Sequence, residues 1–350
     1  MIDEKDRLFL SCLRKGLDFV SRPFDALGAR IGTDGADVIL RLERLKRGGV
    51  IAGVRTFWDA TSFRCRGAWA AMNFPAGTFD QKAEIIHRHP GILYSVERAH
   101  EINFWCFVVV PAGHDPETHI RILARQTGAV PSLYLPLRKV LKGPGPLISL
   151  AGQEYAAVDE GEERRQSPER SELSLDEIRL IRLMQDDLPE TDEPFHKIAE
   201  AMNAPEAIIL NLLKGLSQKG HLKRIGSYTR ARSAMPASTL RLVVWQVPGE
   251  KMKRIAGCFE EIPEVICADT RPGYPEFPYT VYTLIRAADP AALEVLVRRI
   301  EEKIGRWPNL VIPLVREIRK VPMRYFPAEL DAWWIRNRLL ADPVLQNNIQ

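Results

Sequence analysis

The chain lacks paired cysteines, a membrane-length apolar run and any large net charge, and each absence removes a class of function. Its five cysteines, Cys12, Cys65, Cys106, Cys258 and Cys267, form no CxxC pair and lie mostly in apolar runs. Buried thiols in a reducing compartment are expected, without a disulfide frame or a cysteine-held metal or cluster. The first residues, Met1-Ile2-Asp3-Glu4-Lys5-Asp6, are charged where a secretory signal is apolar, so a cytoplasmic protein without a membrane partner is expected. Lys and Arg number 49 against 45 Asp and Glu in 350 residues, a formal net charge of +4. That is too little to argue for nucleic acid or an anionic membrane, so any basic site must be local. A glycine-rich phosphate loop is also missing.

What is present is a pattern written twice. Tyr94 to Val110 starts in a polar segment with Arg98 and His100 and runs into Phe104-Trp105-Cys106-Phe107-Val108-Val109-Val110, which reads as a buried strand. Asp269 to Ile285 repeats the design, with Arg271, a proline-rich turn and an aromatic strand. Pro194-Phe195 lies 171 residues after Pro23-Phe24, and at that offset Leu42, Leu45 and Gly49 fall on Leu213, Leu216 and Gly220. With small shifts the register continues: Pro90-Gly91-Ile92 with Pro263-Glu264-Val265, Asp115-Pro116 with Asp289-Pro290, Leu135-Pro136-Leu137 with Ile312-Pro313-Leu314. A whole two-part unit is duplicated.

Apolar spacing predicts helices over 6–17, 24–31 and 37–47, then a strand over 50–58, the order of a winged helix-turn-helix. Beyond Gly67 come strand 68–74, helix 78–89, strands 91–96 and 103–110, helix 116–125 and a single strand 132–141. The order βαββαβ is ferredoxin-like. The expected organisation is α+β: winged helix-turn-helix 1–60, ferredoxin-like domain 66–148, a charged linker 149–172, winged helix-turn-helix 173–230, ferredoxin-like domain 238–320 and a C-terminal helical extension 321–350. That extension, helical over 326–340, has no first-half counterpart and is expected to pack across a domain boundary. The two ferredoxin-like domains are expected to pair through their sheets as an internal pseudo-dimer, with a further homo-oligomer left open.

This plan is shared with the Lrp/AsnC regulators, so a DNA-binding regulator is the alternative function. A base-reading helix exposes Arg, Asn, Gln or Ser near its N-terminus. Asp34-Gly35-Ala36-Asp37 and Pro205-Glu206-Ala207-Ile208-Ile209 stand there instead, acidic or apolar, and do not favour duplex DNA. The basic residues come later, Arg41, Arg44, Lys46 and Arg47, then Lys219, Lys223 and Arg224, where the helix dipole favours cations.

Over nearly its full length the chain resembles the siroheme decarboxylase family, some of whose members are two related subunits and some a fused polypeptide. The matching residues are Arg22-Pro23-Phe24, Gly49-Val50-Ile51, Tyr94, Glu97-Arg98, His100-Glu101, Asn103-Phe104-Trp105, Leu135-Pro136 and Lys142. In the second half they are Gln185 to Pro189, Pro194-Phe195, Gly220 to Gly226, Val243-Val244-Trp245, Thr270-Arg271-Pro272, Phe277-Pro278-Tyr279 and Tyr282-Thr283. The family commonly has Tyr-Asn before the final strand and a histidine at its end; this chain has Tyr279-Thr280 and Arg286, which directs the expected chemistry to the first half.

The resemblance implies a carboxy-lyase acting on siroheme. It would remove carbon dioxide from the acetates at C12 and C18 to give 12,18-didecarboxysiroheme, on a route to heme or heme d1. Carboxylates suit guanidinium forks, here Arg98, Arg138, Arg271, Arg286 and Arg316. A flat macrocycle suits aromatic walls from Phe104, Trp105, Tyr279 and Tyr282, and Asn103 is a further substrate-binding candidate. Loss of carbon dioxide leaves a carbanion that must be protonated, and His100 beside Arg98 is the expected acid, with iron ligation as its other possible role. The remaining histidines read as surface groups. The macrocycle can delocalise charge, and its iron belongs to the substrate. No nicotinamide, flavin or pyridoxal cofactor and no metal site of the protein's own are therefore expected.

Overall fold

Pro23 and Pro194 open α2 (Pro23–Ile31) and α7 (Pro194–Met202) at a position where a missing N–H costs nothing. Each helix stops on a left-handed residue, Gly32 at φ 71° and Asn203 at φ 53°. The computed structural model describes residues 3–143, 172–228, 240–255 and 257–341. Ahead of these helices lie α1 (Glu4–Lys15) and α6 (Leu175–Leu183), both started by a capping box, Asp3 with Asp6 and Ser174 with Glu177. After them come α3 (Gly35–Arg47) and α8 (Glu206–Gln218), then single strands β1 (Gly53–Trp58) and β7 (Leu222–Tyr228). The two strands pair with each other, antiparallel, from Gly53 opposite Tyr228 to Trp58 opposite Leu222. The wing is therefore one ribbon shared by the two halves, within a unit made of Met1–Phe63, Pro168–Ala231 and Arg324–Phe326.

Most cations that the sequence places at the ends of α3 and α8 are committed inside this unit. Arg41 and Arg44 both reach the fully buried Asp6, Arg41 at 3.1 Å, and Arg41 also holds Asp37 at 2.7 Å. Lys46 pairs with Glu190, Lys219 donates to Glu177 at 2.7 Å, and the Arg224 guanidinium lies 3.6 Å from the Phe57 ring centre. Partners within the unit, the acids Asp6, Asp37, Glu177 and Glu190 and the Phe57 ring, and not helix dipoles alone, account for these residues.

The second unit takes Arg64–Ser167, Arg232–Met323 and Pro327–Gln350, so the structural units cut across the sequence halves. Its first sheet comes from β2 (Arg66–Met72), α4 (Phe79–His87), β3 (Ile92–Arg98), β4 (Phe104–Val110), α5 (Pro116–Thr127) and β5 (Ser132–Leu135). The strands lie in the order β5-β2-β4-β3, the ferredoxin-like arrangement. The second repeats it with β8 (Leu240–Trp245), α9 (Met252–Ile255), β9 (Val265–Thr270), β10 (Val281–Arg286), α10 (Pro290–Ile304) and β11 (Asn309–Ile312), in the order β11-β8-β10-β9.

The single strand expected over 132–141 is two strands. Pro136 cannot donate to a ladder; β5 ends at Leu135, and the next strand, β6 (Lys139–Lys142), pairs with β9 of the other half. Pro313 does the same, separating β11 from β12 (Leu314–Lys320), which pairs with β3. Each sheet thus gains a fifth strand from the other half. The expected linker over 149–172 lies outside the described residues apart from Glu172.

Alternation along the strands gives each sheet two buried faces. Ala68, Ala70, Met72, Phe104, Cys106 and Val108 pack under α4 and α5, and Val243, Trp245, Val281 and Ile285 pack under α10. Trp69, Tyr94, Trp105 and Phe107 on one sheet and Cys267, Tyr282 and Leu284 on the other are buried on the opposite faces, where Trp105 and Tyr282 stand 6.4 Å apart. No helix among the described residues is long and apolar enough to cross a membrane.

The terminal helix α11 (Ala328–Asn337) sets Trp333 into the core of the first sheet. Its tryptophans stack on His119, at 5.2 Å for Trp333 and 4.8 Å for Trp334. His119 and His89, read from sequence as surface groups, are fully buried. They form a chain: the Gly91 N–H donates to His89 Nδ1 (3.0 Å), His89 Nε2 meets His119 Nδ1 (2.8 Å), and His119 Nε2 meets His114 Nδ1 (3.1 Å).

Candidate active site

The turn between β3 and β4 is built by its own polar groups. The Arg98 N–H donates to Asn103 O at 2.8 Å and closes the hairpin, and the His100 N–H donates to Arg98 O at 2.9 Å. The Ile102 N–H donates to His100 Nδ1 at 3.0 Å, and the Trp105 indole N–H to Ile102 O at 2.9 Å. His100 in this orientation therefore carries its proton on Nε2, which finds no protein acceptor among the described residues. Asn103 spends both ends of its amide on the chain after β2, accepting from Phe74 N at 2.9 Å and donating to Phe74 O at 2.8 Å. Its place is that of a clamp under the turn.

The matched turn between β9 and β10 is twice as long, residues 272–279 against 99–102. The Arg271 N–H donates to Thr280 O at 2.9 Å, and Tyr274 and Phe277 exchange backbone hydrogen bonds of 2.9 and 3.0 Å. The fold holds Phe277 buried, with its ring 5.7 Å from His100, 5.9 Å from Trp105, 4.9 Å from Tyr279 and 6.4 Å from Tyr282. Four of the expected site residues from both halves thus converge on one that was not expected to be part of a site. Two sequence signals pointed to Phe277: its place in Phe277-Pro278-Tyr279, among the residues that carry the family resemblance, and the extra length of this turn, which leaves it without a first-half counterpart. Phe104, an expected wall, faces the helices instead, stacked on Phe74 at 4.7 Å. Alternation along β4 decides this, because Phe104 and Trp105 must point to opposite faces.

Of the five expected arginines, two are buried at this layer. Arg98 donates from Nη1 to Ile312 O at 3.1 Å, and its guanidinium lies 5.6 Å from the Trp105 ring centre. Its Nε is buried with no hydrogen-bond partner among the described residues, and burial holds its pKa down at about 10. Arg271 donates from Nη1 to Leu135 O at 2.7 Å and lies 5.4 Å from the Tyr282 ring centre. Its other edge grips Asp269 at two points, both 2.8 Å. Burial pushes the Asp269 carboxyl up and the guanidinium pulls against it; the two-point geometry is that of an ionised pair. The hydroxyl of Tyr282 is buried without a partner among the described residues, and burial pushes its pKa up.

The other three arginines lie apart. Arg316 is exposed and committed to Asp80 and Glu97, the latter at 2.6 Å. Arg138 and Arg286 are exposed, their backbone N–H groups donating to Thr270 O and Glu264 O at 2.9 and 2.8 Å.

Residues 6–51 and 177–222 match the siroheme decarboxylase NirDL-like HTH domain, and residues 238–319 match the AsnC-like ligand binding domain. A siroheme decarboxylase of Hydrogenobacter thermophilus is 22% identical over 335 residues, spanning 95% of this chain and 98% of that protein. The siroheme decarboxylase NirG subunit of Paracoccus pantotrophus is 35% identical over 144 residues, 41% of this chain and 90% of the subunit. The crystal structure of the siroheme decarboxylase NirDL in co-complex with an iron-uroporphyrin III analogue has the same fold, with a TM-score of 0.71 at 19% identity, covering 97% of this chain and all of that one. With both helix-turn-helix segments matched and a 35%-identical subunit covered almost end to end, this chain belongs to the siroheme decarboxylase family of carboxy-lyases.

Proposed function

We propose that the chain decarboxylates siroheme at the acetates on C12 and C18, giving 12,18-didecarboxysiroheme for heme or heme d1 synthesis, and that the chemistry takes place beside Arg98 and His100. The observation that carries this reading is a buried guanidinium without a carboxylate among the described residues, placed against an aromatic surface that Trp105, Phe277, Tyr279 and Tyr282 share. A buried cation with donors to spare is an unfavourable arrangement until an anion meets it. An acetate side chain has the right charge and size, and the ring that bears it has the right surface for the aromatics.

Each cycle breaks one C–C bond. Carbon dioxide leaves, the bonding pair stays on the methylene carbon and delocalises into the macrocycle, and one proton completes the methyl group. No oxidant or reductant enters the balance. His100 supports two states. In the orientation described, its Nε2–H donates a hydrogen bond to substrate. To act as an imidazolium acid it must also protonate Nδ1, which displaces the Ile102 N–H and costs about 1 kcal/mol for the lost hydrogen bond. Release of the Ile102 N–H is the structural change that the acid role requires.

Anaerobic incubation with siroheme should yield a product lighter by two carbon dioxides, read by mass spectrometry. Siroheme left intact, together with a steeply salt-dependent shift of duplex DNA, would replace this reading with that of a regulator.

A further inference from the structure

Arg98 and Arg271 are held alike on every side but one. Both stand where β3 or β9 gives way to its turn, both close that turn through the backbone N–H, and both lie over a buried aromatic ring. Each also donates Nη1 to the carbonyl before the proline at which the other half's chain changes sheets, Ile312 before Pro313 and Leu135 before Pro136. The difference lies two residues upstream. Side chains at i and i−2 of a strand share a face, and that position is Asp269 in the second half but Val96 in the first. Asp269 therefore fills the Nε and Nη2 edge of Arg271, whereas Val96 offers Arg98 nothing and leaves its Nε without a partner among the described residues. Glu97, the carboxylate next along the chain, is held by Arg316 on the other side of the strand.

We propose that Asp269 is a built-in carboxylate that occupies in the second half the position a substrate carboxylate takes on Arg98 in the first, so that one chain carries a single substrate cradle. This rests on reading Arg98 as the carboxylate site of the proposed reaction. Asp269 is then a residue that silences a duplicated site: it satisfies the buried cation that duplication left behind. Val96 has the converse role of keeping the first fork unspent.

Two reciprocal substitutions and one count test it. Val96→Asp supplies the first fork with its own anion, and should raise Tm by several degrees while lowering siroheme turnover at least 100-fold. Turnover within threefold of wild type overturns the proposal. Asp269→Ala vacates the second fork, and sodium acetate should then raise its Tm saturably relative to sodium chloride of equal ionic strength, with no such rise in wild type. An identical acetate response in the two proteins overturns it. If Asp269→Ala does not fold without acetate, recovery of folded protein by acetate and not by chloride is the supporting result, and no recovery by acetate is the opposing one. Anaerobic titration should saturate at one siroheme per wild-type chain, and two per chain is a contrary result. A wild type that binds no siroheme removes the proposed reaction, while the acetate response of Asp269→Ala still decides whether Arg271 is a carboxylate fork with a resident occupant.

Discussion

Residues 99–102 and 272–279 connect matched strands, yet they have been put to different uses. The first turn carries His100 and is braced by its own polar groups. The second is stiffened by Pro272, Pro275 and Pro278 and buries Phe277 against Trp105 of the first half. Once a unit is duplicated and its copies are tied by exchanged strands, only one copy has to keep reactive groups. The other can become a wall for it. Pro136 and Pro313 make this possible, because they send each chain across to finish the neighbouring sheet.

The sharpest way to break the comparison is to remove the group proposed to react. His100→Ala should lower turnover by about 10² to 10⁴ while siroheme still binds, since a positioned acid is typically worth that much. Near-normal turnover in His100→Ala, together with lost turnover at unchanged affinity in Arg271→Ala, would move the chemistry to the second half.

Next in size are the two arginines, which should fail in opposite ways. Arg271→Ala leaves Asp269 buried without its partner, and stability in urea should fall by about 3–5 kcal/mol. Arg98→Ala removes a cation that has no carboxylate beside it among the described residues, and one hydrogen bond, for a loss of about 1 kcal/mol. Its main effect should be on siroheme affinity and turnover. Equal stability losses in the two variants would show that the Asp269 pair makes no difference. A smaller effect is expected at the wall itself: Phe277→Leu keeps much of the apolar volume and should cost less than about 1.5 kcal/mol, but weaken siroheme binding several-fold through the lost ring contacts.

Local sequence made the repeat visible because its phrases carry backbone chemistry: a proline at the first turn of α2 and α7, an Asp cap before Pro116 and Pro290, a glycine after α3. The same repetition marked Arg98 and Arg271 as matched residues at strand ends, and their place in one buried layer with Trp105 and Tyr282 agrees with that reading. What was not legible depends on partners far along the chain. Nothing in Lys139–Lys142 says that it pairs with β9. Nothing around Arg316 says that Asp80, 236 positions away, takes its charge. The strand over 132–141 was readable as broken, since Pro136 forbids a continuous ladder; the destination of its second piece was not. The histidines were misjudged because their burial is created by α11, which lies outside the repeat.

Those histidines give the last contrast between the halves. His89 and His119 stand in the first half where the repeat puts Ile262 and Leu293, both buried in the second half's core. Burial and the neighbouring His114 hold His119 down at about 4, against Asp115, and burial beside His119 holds His89 well below its ordinary value. In an unfolded chain both titrate near 6.5. Below pH 6.5 the unfolded chain binds more protons, so the stability they support is complete above about pH 6.5 and is lost as pH falls, for His119 down to about 4. The slope is up to about 1.4 kcal/mol per pH unit for each group. Asp6, Asp37 and Glu177, whose pKa values are lowered, contribute in the same sense but only as pH falls below the ordinary carboxylate range. Replacing the pair with the second half's residues, His89→Ile with His119→Leu, should flatten the limb between pH 6.5 and 4 and leave the lower one in place. Unfolding followed by tryptophan fluorescence reads this directly, since Trp333 and Trp334 stack on His119. A double variant with the wild-type slope in that window would place its acid sensitivity somewhere other than this chain of rings.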